Sequence, residues 1–208
     1  MIFKDRFDAA SQLAEKLKKY KNEECVILAI PRGGLQIGVV VAKALQAPLD
    51  VVLTKKIGYP GNEEYAIGAV SLKGRILNPD VSDVPQSYID AEIKRIQSLL
   101  QKRHEQYHQG KRKPVDIKNK VVIIVDDGIA TGSTVLATIE LLKTEKPKKI
   151  IVAVPVAPPE AVAKIKKVVD EVVCLHMTAD FFAIGQFYEN FEQVEDAEAI
   201  RLLEEANA

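Results

Sequence analysis

An α/β fold, a mostly parallel twisted sheet flanked by helices, is what this 208-residue sequence predicts. Three observations carry the prediction. Runs of apolar, mainly β-branched residues at 25–30 and at Val121–Val125 do not alternate with polar ones, as befits strands buried on both faces. Such runs alternate along the chain with segments of helical apolar spacing. Finally, Val121–Val125 leads directly into Asp126-Asp127-Gly128-Ile129-Ala130-Thr131-Gly132-Ser133-Thr134, and helical spacing resumes from Val135 to Lys143. Ligands of open α/β sheets bind at the carboxyl ends of strands, and this is such an end.

The elements follow in order. Residues 8–20 form an amphipathic helix with Ala10, Leu13, Ala14 and Leu17 on its apolar side. A buried strand at 25–30, a helix at 35–45 and a strand at 49–54 come next. Residues 65–71 and 75–77 read as short strands around a Lys73-Gly74 turn. A long helix over 85–109 carries Ile89, Ile93, Ile96, Leu100 and Tyr107 on one stripe, a candidate surface for a homo-oligomer. After a basic linker and the strand–helix junction, strands at 149–156 and 171–175 flank a helix opened by Pro158-Pro159. An amphipathic helix over 194–206 closes the chain. With no internal repeat and no convincing boundary, residues 1–208 read as one domain.

Composition narrows the function. Lys+Arg and Asp+Glu are equal at 29 each, so no global basic field points to nucleic acid. The start lacks the apolar region of a secretory signal, and no apolar stretch is long enough to span a bilayer. Cys25 and Cys174 lie in apolar runs and read as buried free thiols. A cytoplasmic protein is expected, without a membrane partner.

The chemistry concentrates at strand ends. The loop from Ala130 to Thr134 and the helix start behind it offer backbone N–H groups and a positive dipole end to an anion. Thr131, Ser133 and Thr134 add hydroxyls, and Gly132 lets the backbone come close. Asp126 and Asp127 suit hydroxyl groups or a hydrated Mg²⁺ better than phosphate. A sugar phosphate satisfies both halves, with its diol on the carboxylates and its phosphate in the loop.

Pro31-Arg32-Gly33-Gly34 ends the first strand and supplies a planar cation and permissive backbone. Lys55-Lys56 is read as closing the second strand and opening a loop over 57–64, which could shut over a ligand. Only one of the two lysines need point inward, because side chains alternate along a strand. Between Phe181 and Tyr188 lie four aromatics in eight residues. His104-Glu105-Gln106-Tyr107-His108 fits the HExxH zinc signature, but its place at a helix end beside a basic cluster favours solvated helix surface. Lys102-Arg103 and Lys111-Arg112-Lys113 likewise read as a solvated face rather than an RNA patch.

The acid–loop junction resembles the 5-phosphoribosyl-1-pyrophosphate (PRPP) motif of type I phosphoribosyltransferases. More narrowly, Phe3-Lys4-Asp5-Arg6, Pro31-Arg32-Gly33-Gly34, Tyr59-Pro60-Gly61-Asn62 and the 182–188 tail are similar to a bacterial group of such proteins without an assigned substrate. The resemblance implies that Asp126 and Asp127 hold the ribose hydroxyls and, through water, Mg²⁺. Ala130, Thr131, Gly132, Ser133 and Thr134 would wrap the 5′-phosphate. Arg32, with the backbone of Gly33 and Gly34, would meet pyrophosphate across a strained or cis peptide, and Lys55 or Lys56 would help neutralise it. Residues 176–208 would form a hood in which Phe182 and Tyr188 stack on the acceptor and Asp180 reads its polar edge; anchoring of the last helix is the competing role for these aromatics.

The implied activity is Mg²⁺-dependent phosphoribosyl transfer to a nitrogen acceptor, a nucleobase in the usual case, with release of pyrophosphate. Hypoxanthine-guanine enzymes carry an acid where this chain has Ala130, so a 6-oxopurine is not the expected acceptor. A non-catalytic PRPP-sensing or regulatory protein is the alternative. Replacing both aspartates with asparagine is expected to weaken PRPP binding while leaving the fold intact.

Overall fold

The computed structural model describes residues 2–78, 81, 83–109 and 114–207. In chain order the elements are α1 (Arg6–Leu17), β1 (Cys25–Ala29), α2 (Gly34–Leu45), β2 (Leu49–Val51), β3 (Thr54–Tyr59), β4 (Asn62–Ser71), β5 (Arg75–Leu77), α3 (Gln86–His108), β6 (Val121–Val125), α4 (Ser133–Lys143), β7 (Lys149–Ala157), α5 (Pro159–Lys166), β8 (Glu171–Met177) and α6 (Asp196–Glu205). Five strands form a wholly parallel sheet in the order β2-β1-β6-β7-β8. The expected α/β class is the observed one.

Non-alternating strands need cover on both faces, and helices supply it. Ile27, Ala29, Ile123 and Val125 point into a core shared with α1, α2, α3 and α6. Their neighbours Val26, Leu28, Val122 and Ile124 point into a second core under α4 and α5. Strand order also fixes the crevice. The chain leaves β1 toward β2 on one side and returns to β6 on the other, so β1 and β6 form the switch point where connections diverge. Their register aligns Ala29 with Val125, which brings Pro31-Arg32-Gly33-Gly34 and Asp126-Asp127 out of the sheet at one level.

Several expectations need correction. β2 stops at Val51, and Lys55 and Lys56 belong instead to β3 of a separate antiparallel sheet, β3-β4-β5. The expected loop over 57–64 is a hairpin that turns at Pro60-Gly61, with Gly61 at φ +78°, a conformation open to glycine. A register shift at Gly58 interrupts the alternation that would have revealed the strand. Nor is the α3 stripe an exposed surface for a second copy, because Ile89, Ile93, Ile96, Leu100 and Tyr107 are all buried. The hairpin is tied to the start of α3 by hydrogen bonds from the Tyr88 hydroxyl to the Gly58 carbonyl and from Tyr59 to Asp83. Lys111, Arg112 and Lys113 lie outside the described residues.

The HExxH pair is not solvated either. His104 and His108 are buried, with rings stacked at 4.0 Å. His108 lies 2.8 Å from the Asp50 carboxylate through Nε2 and 3.0 Å from the His104 carbonyl through Nδ1. Asp50, inside an otherwise apolar strand, also accepts the N–H groups of Val51 and Val115. Both of these partners of His108 are acceptors, so its imidazolium form satisfies both. The signal was Asp50 itself: an acid in the run Leu49-Asp50-Val51-Val52 needs a buried donor.

Burial, and next the neighbouring His108, push the His104 pKa below its ordinary 6.5. The unfolded chain therefore takes up a proton that the folded chain refuses, and stability is lost as pH falls below about 6.5. Urea unfolding between pH 7.5 and 5.5 is expected to give a smaller slope for His104→Phe than for the wild type. An unchanged slope would assign the acid sensitivity elsewhere.

Candidate active site

The crevice between β1 and β6 is narrow because glycine lines one wall. A Cβ added to Gly33 would stand 2.0 Å from the Asp127 Oδ2, and one added to Gly34 would stand 2.9 Å from the Val125 carbonyl oxygen. Gly33 is in ordinary right-handed helical geometry, so the requirement is space rather than backbone freedom. The turn contains a cis peptide between Pro31 and Arg32, one bond earlier than the Arg32-Gly33 link. Arg32 is half-buried and lies 3.5 Å from the Asp196 carboxylate at the start of α6.

The two acids differ sharply in environment. Asp127 is buried, and its Oδ2 accepts a 2.7 Å charge-assisted bond from Arg6 Nε at the start of α1. Arg6 is itself buried, donates to the Glu192 carbonyl and stacks over Phe191 at 3.8 Å. Asp126 is half-buried, has no cationic partner among the described residues, and uses Oδ1 to accept the Asp127 N–H at 2.9 Å. Burial, then the charge of Asp127, pushes the Asp126 carboxyl well above the usual carboxylate range. Burial also raises Asp127, with Arg6 pulling the other way. Asp126 is thus the open carboxylate, and Asp127 is anchored. The double Asp→Asn change is therefore expected to cost folding stability as well as binding, since it strips Arg6 of its buried charged partner.

Behind the acids, Gly132 at φ +77° caps α4, and no side chain caps the first turn of that helix. Thr131 and Ser133 hydroxyls meet at 2.8 Å. Ala130, Thr131 and Thr134 are exposed and Ser133 is half-exposed, so the loop presents hydroxyls and helix-start N–H groups to the crevice mouth.

The lysines of β3 face opposite ways. Lys56 shares its face with Thr54, whose hydroxyl meets Thr138 of α4 at 3.0 Å. Lys55 shares its face with Ile57; Arg95 and, more weakly, Lys55 hold Glu92 of α3 below its ordinary pKa.

The tail segment packs over the acids, because a Cβ on Gly128 would meet Ile184 at 2.7 Å. Its candidates separate. Tyr188 is no acceptor platform: it is buried against Phe3 and Phe191, and its hydroxyl donates to the Asp127 carbonyl at 2.6 Å. It positions the acid loop instead. Phe182 is 88 % exposed, and Asp180 is exposed beside it. Gln186 holds this turn, accepting from the Phe182 and Ala183 N–H groups and donating to the Asp180 carbonyl.

Arg6 was the residue hardest to assign from sequence. It stands at the head of an amphipathic helix far from the acid pair, and the sequence singled it out only within the Phe3-Lys4-Asp5-Arg6 resemblance, without a role. Among the described residues no cluster of three or more His, Cys, Asp or Glu side chains could hold a metal ion. No helix among them is long and apolar enough to cross a membrane.

The profile of the phosphoribosyl transferase domain family matches residues 3–191. The chain belongs to that family. Two curated relatives from strains of Mycobacterium tuberculosis, which carry the provisional name phosphoribosyl transferase, are 41 % identical over 212 residues, 99 % of this chain and 47 % of the relative. The chain thus spans about half the length of these curated relatives, 47 %. The crystal structure of TT1426 from Thermus thermophilus superposes with a TM-score of 0.90 at 40 % identity, covering 99 % of both chains. Uracil phosphoribosyltransferase from Mycoplasma genitalium is 44 % identical over 57 residues, 27 % of this chain and 28 % of that one. In this chain an acid pair, a hydroxyl-bearing loop and a glycine turn meet at one switch point of the sheet.

Proposed function

We propose that this chain transfers the 5-phosphoribosyl group of PRPP to a nitrogen acceptor and releases pyrophosphate. The observation that carries the reading is the contact of Gly33 and Gly34 with the Asp126-Asp127 backbone and carboxylates, which sets the candidate pyrophosphate turn against the candidate ribose site. Asp126 would accept hydroxyl protons of the ribose, while Asp127, held by Arg6 and Tyr188, would fix the loop that presents it. The loop from Ala130 to Thr134 would take the 5′-phosphate.

Breaking the bond between C1 and the diphosphate oxygen leaves positive charge on the sugar and negative charge on the leaving group. Arg32 and a lysine of β3 would stabilise the second charge, with no covalent nucleophile required. Two carboxylates, one engaged by Arg6, make no all-protein cage. They fit a Mg²⁺ bound mainly by substrate oxygens and water, with Asp126 reaching it through water. Once bound, that ion would add charge neutralisation at the diphosphate.

For the acceptor, Phe182 and Asp180 are the exposed aromatic and polar groups of the tail whose Ile184 and Tyr188 pack on the acid loop. Ala130 offers no carboxylate to a purine, which argues against a 6-oxopurine. The partial match to uracil phosphoribosyltransferases makes a pyrimidine the first acceptor to try. A PRPP-sensing protein without turnover is the second reading, favoured by the Arg6 hold on Asp127, which leaves one open carboxylate.

Calorimetric titration with PRPP and Mg²⁺, with ribose 5-phosphate as control, tests the ligand. Saturable Mg²⁺-dependent binding is expected. Asp126→Asn is expected to weaken PRPP binding at least about tenfold, since a charge-assisted hydrogen bond is worth about 1.5–3 kcal/mol. Unchanged affinity would remove Asp126 from the site. PRPP binding without pyrophosphate release across a nucleobase panel would favour the sensor.

A further inference from the structure

Beside the glycine turn, between the end of α3 and the start of α6, lies a cavity of about 570 Å³. Arg32 enters it from the turn, Arg103, Gln106 and Tyr107 from α3, and Asp196 from α6. Arg103 is exposed and pairs with no carboxylate among the described residues, although α3 carries an ion pair elsewhere, between Arg95 and Glu92. Tyr107 is 6 % exposed and lines the cavity with a hydroxyl that has no hydrogen-bond partner among the described residues. That hydroxyl opens to the cavity rather than being sealed in the core, so it can donate to a ligand held there. Burial pushes its pKa up, Asp196 adds to this, and Arg103 and Arg32 oppose it; all three charged side chains line the same cavity.

Two guanidinium groups, a free hydroxyl and a side-chain amide converging on one space make a site for a doubly charged oxyanion. We propose that this cavity receives the diphosphate of PRPP, and that Arg103 and Tyr107 grip it together with Arg32 while Asp196 occupies Arg32 until the diphosphate arrives. The inference rests on the transferase reading and adds residues from α3 and α6 to it. In the transfer the C1–O bond breaks with its electron pair on the diphosphate, the acceptor nitrogen forms the C1–N bond, and its proton passes to water. The diphosphate would displace the Asp196 carboxylate, so Asp196 acts as a competitor for the same cation.

The test is calorimetry with inorganic pyrophosphate, PRPP and ribose 5-phosphate, all with Mg²⁺, on four proteins: wild type, Arg103→Met, Tyr107→Phe and Asp196→Asn. Arg103→Met is expected to weaken pyrophosphate and PRPP at least about tenfold and Tyr107→Phe about threefold, with ribose 5-phosphate unchanged. Asp196→Asn is expected to tighten pyrophosphate a few-fold. Wild-type affinity for pyrophosphate in both α3 variants would overturn the proposal while leaving the transferase reading in place. Equal loss of ribose 5-phosphate in Arg103→Met would overturn it too, by making Arg103 a merely structural residue. A wild type that binds neither PRPP nor pyrophosphate would remove the transferase reading first.

Discussion

Replacing Arg6 with methionine is expected to cost about 3–5 kcal/mol of folding stability, the range for breaking a buried ion pair from one side. The substitution keeps most of the side-chain volume but leaves Asp127 buried without its cation, and it removes the stack on Phe191 and the bond to the Glu192 carbonyl. Relief is available only by protonating Asp127. In the variant the folded carboxyl titrates above the unfolded one, so the folded state holds a proton that the unfolded state releases. Stability should then fall as pH rises from about 4, the ordinary aspartate range. Urea unfolding across pH 4–8 measures both effects. Asp127→Asn in the Arg6→Met background should restore part of the loss, because an amide is cheaper to bury than a carboxylate. A loss below about 1 kcal/mol with no pH slope, the behaviour of an exposed pair, would show that solvent reaches Asp127.

That anchor was invisible to local reading, whereas much of the fold was not. Val121–Val125 and residues 25–30 declared buried strands because they lack polar residues altogether, and a chain cannot bury such runs without helices on both sides. The acids and the glycine loop were legible because they interrupt that pattern at a strand's carboxyl end. What stayed hidden depends mostly on pairing across sequence distance. Arg6 meets Asp127 from 121 residues away, and His108 meets Asp50 from 58 residues away. Lys55 and Lys56 stood in a segment whose strand character was masked by glycine and a register shift at Gly58. The aromatics of the tail show the same limit. Composition could not separate Phe182, which faces solvent, from Tyr188, whose hydroxyl is bound to the Asp127 carbonyl. Side chains that work through a distant partner leave no periodic trace.

Gly33→Ala should produce the largest loss of ligand binding from the smallest change in mass. The new methyl would stand 2.0 Å from the Asp127 Oδ2, 2.7 Å from its Cγ and 3.1 Å from Arg6 Nε. None of these atoms lies on a free-swinging chain end, because the carboxylate is held by Arg6 and Arg6 by Phe191 and Glu192. Either the glycine turn moves away from the acids or the ion pair opens. Overpacking of this kind costs about 1–3 kcal/mol, and opening the pair would add to it. PRPP binding should drop by about two orders of magnitude, since both walls of the crevice shift together. Gly74→Ala is the matched control: its methyl would meet nothing closer than the Thr144 hydroxyl at 3.7 Å, so a change within about 0.5 kcal/mol is expected. The combination with Arg6→Met decides between the two routes. If Gly33→Ala acts by opening the Arg6–Asp127 pair, the double variant should lose clearly less than the sum of the single losses, because the pair can be broken only once. Additive losses would instead locate the damage in the turn itself, with the anchor intact.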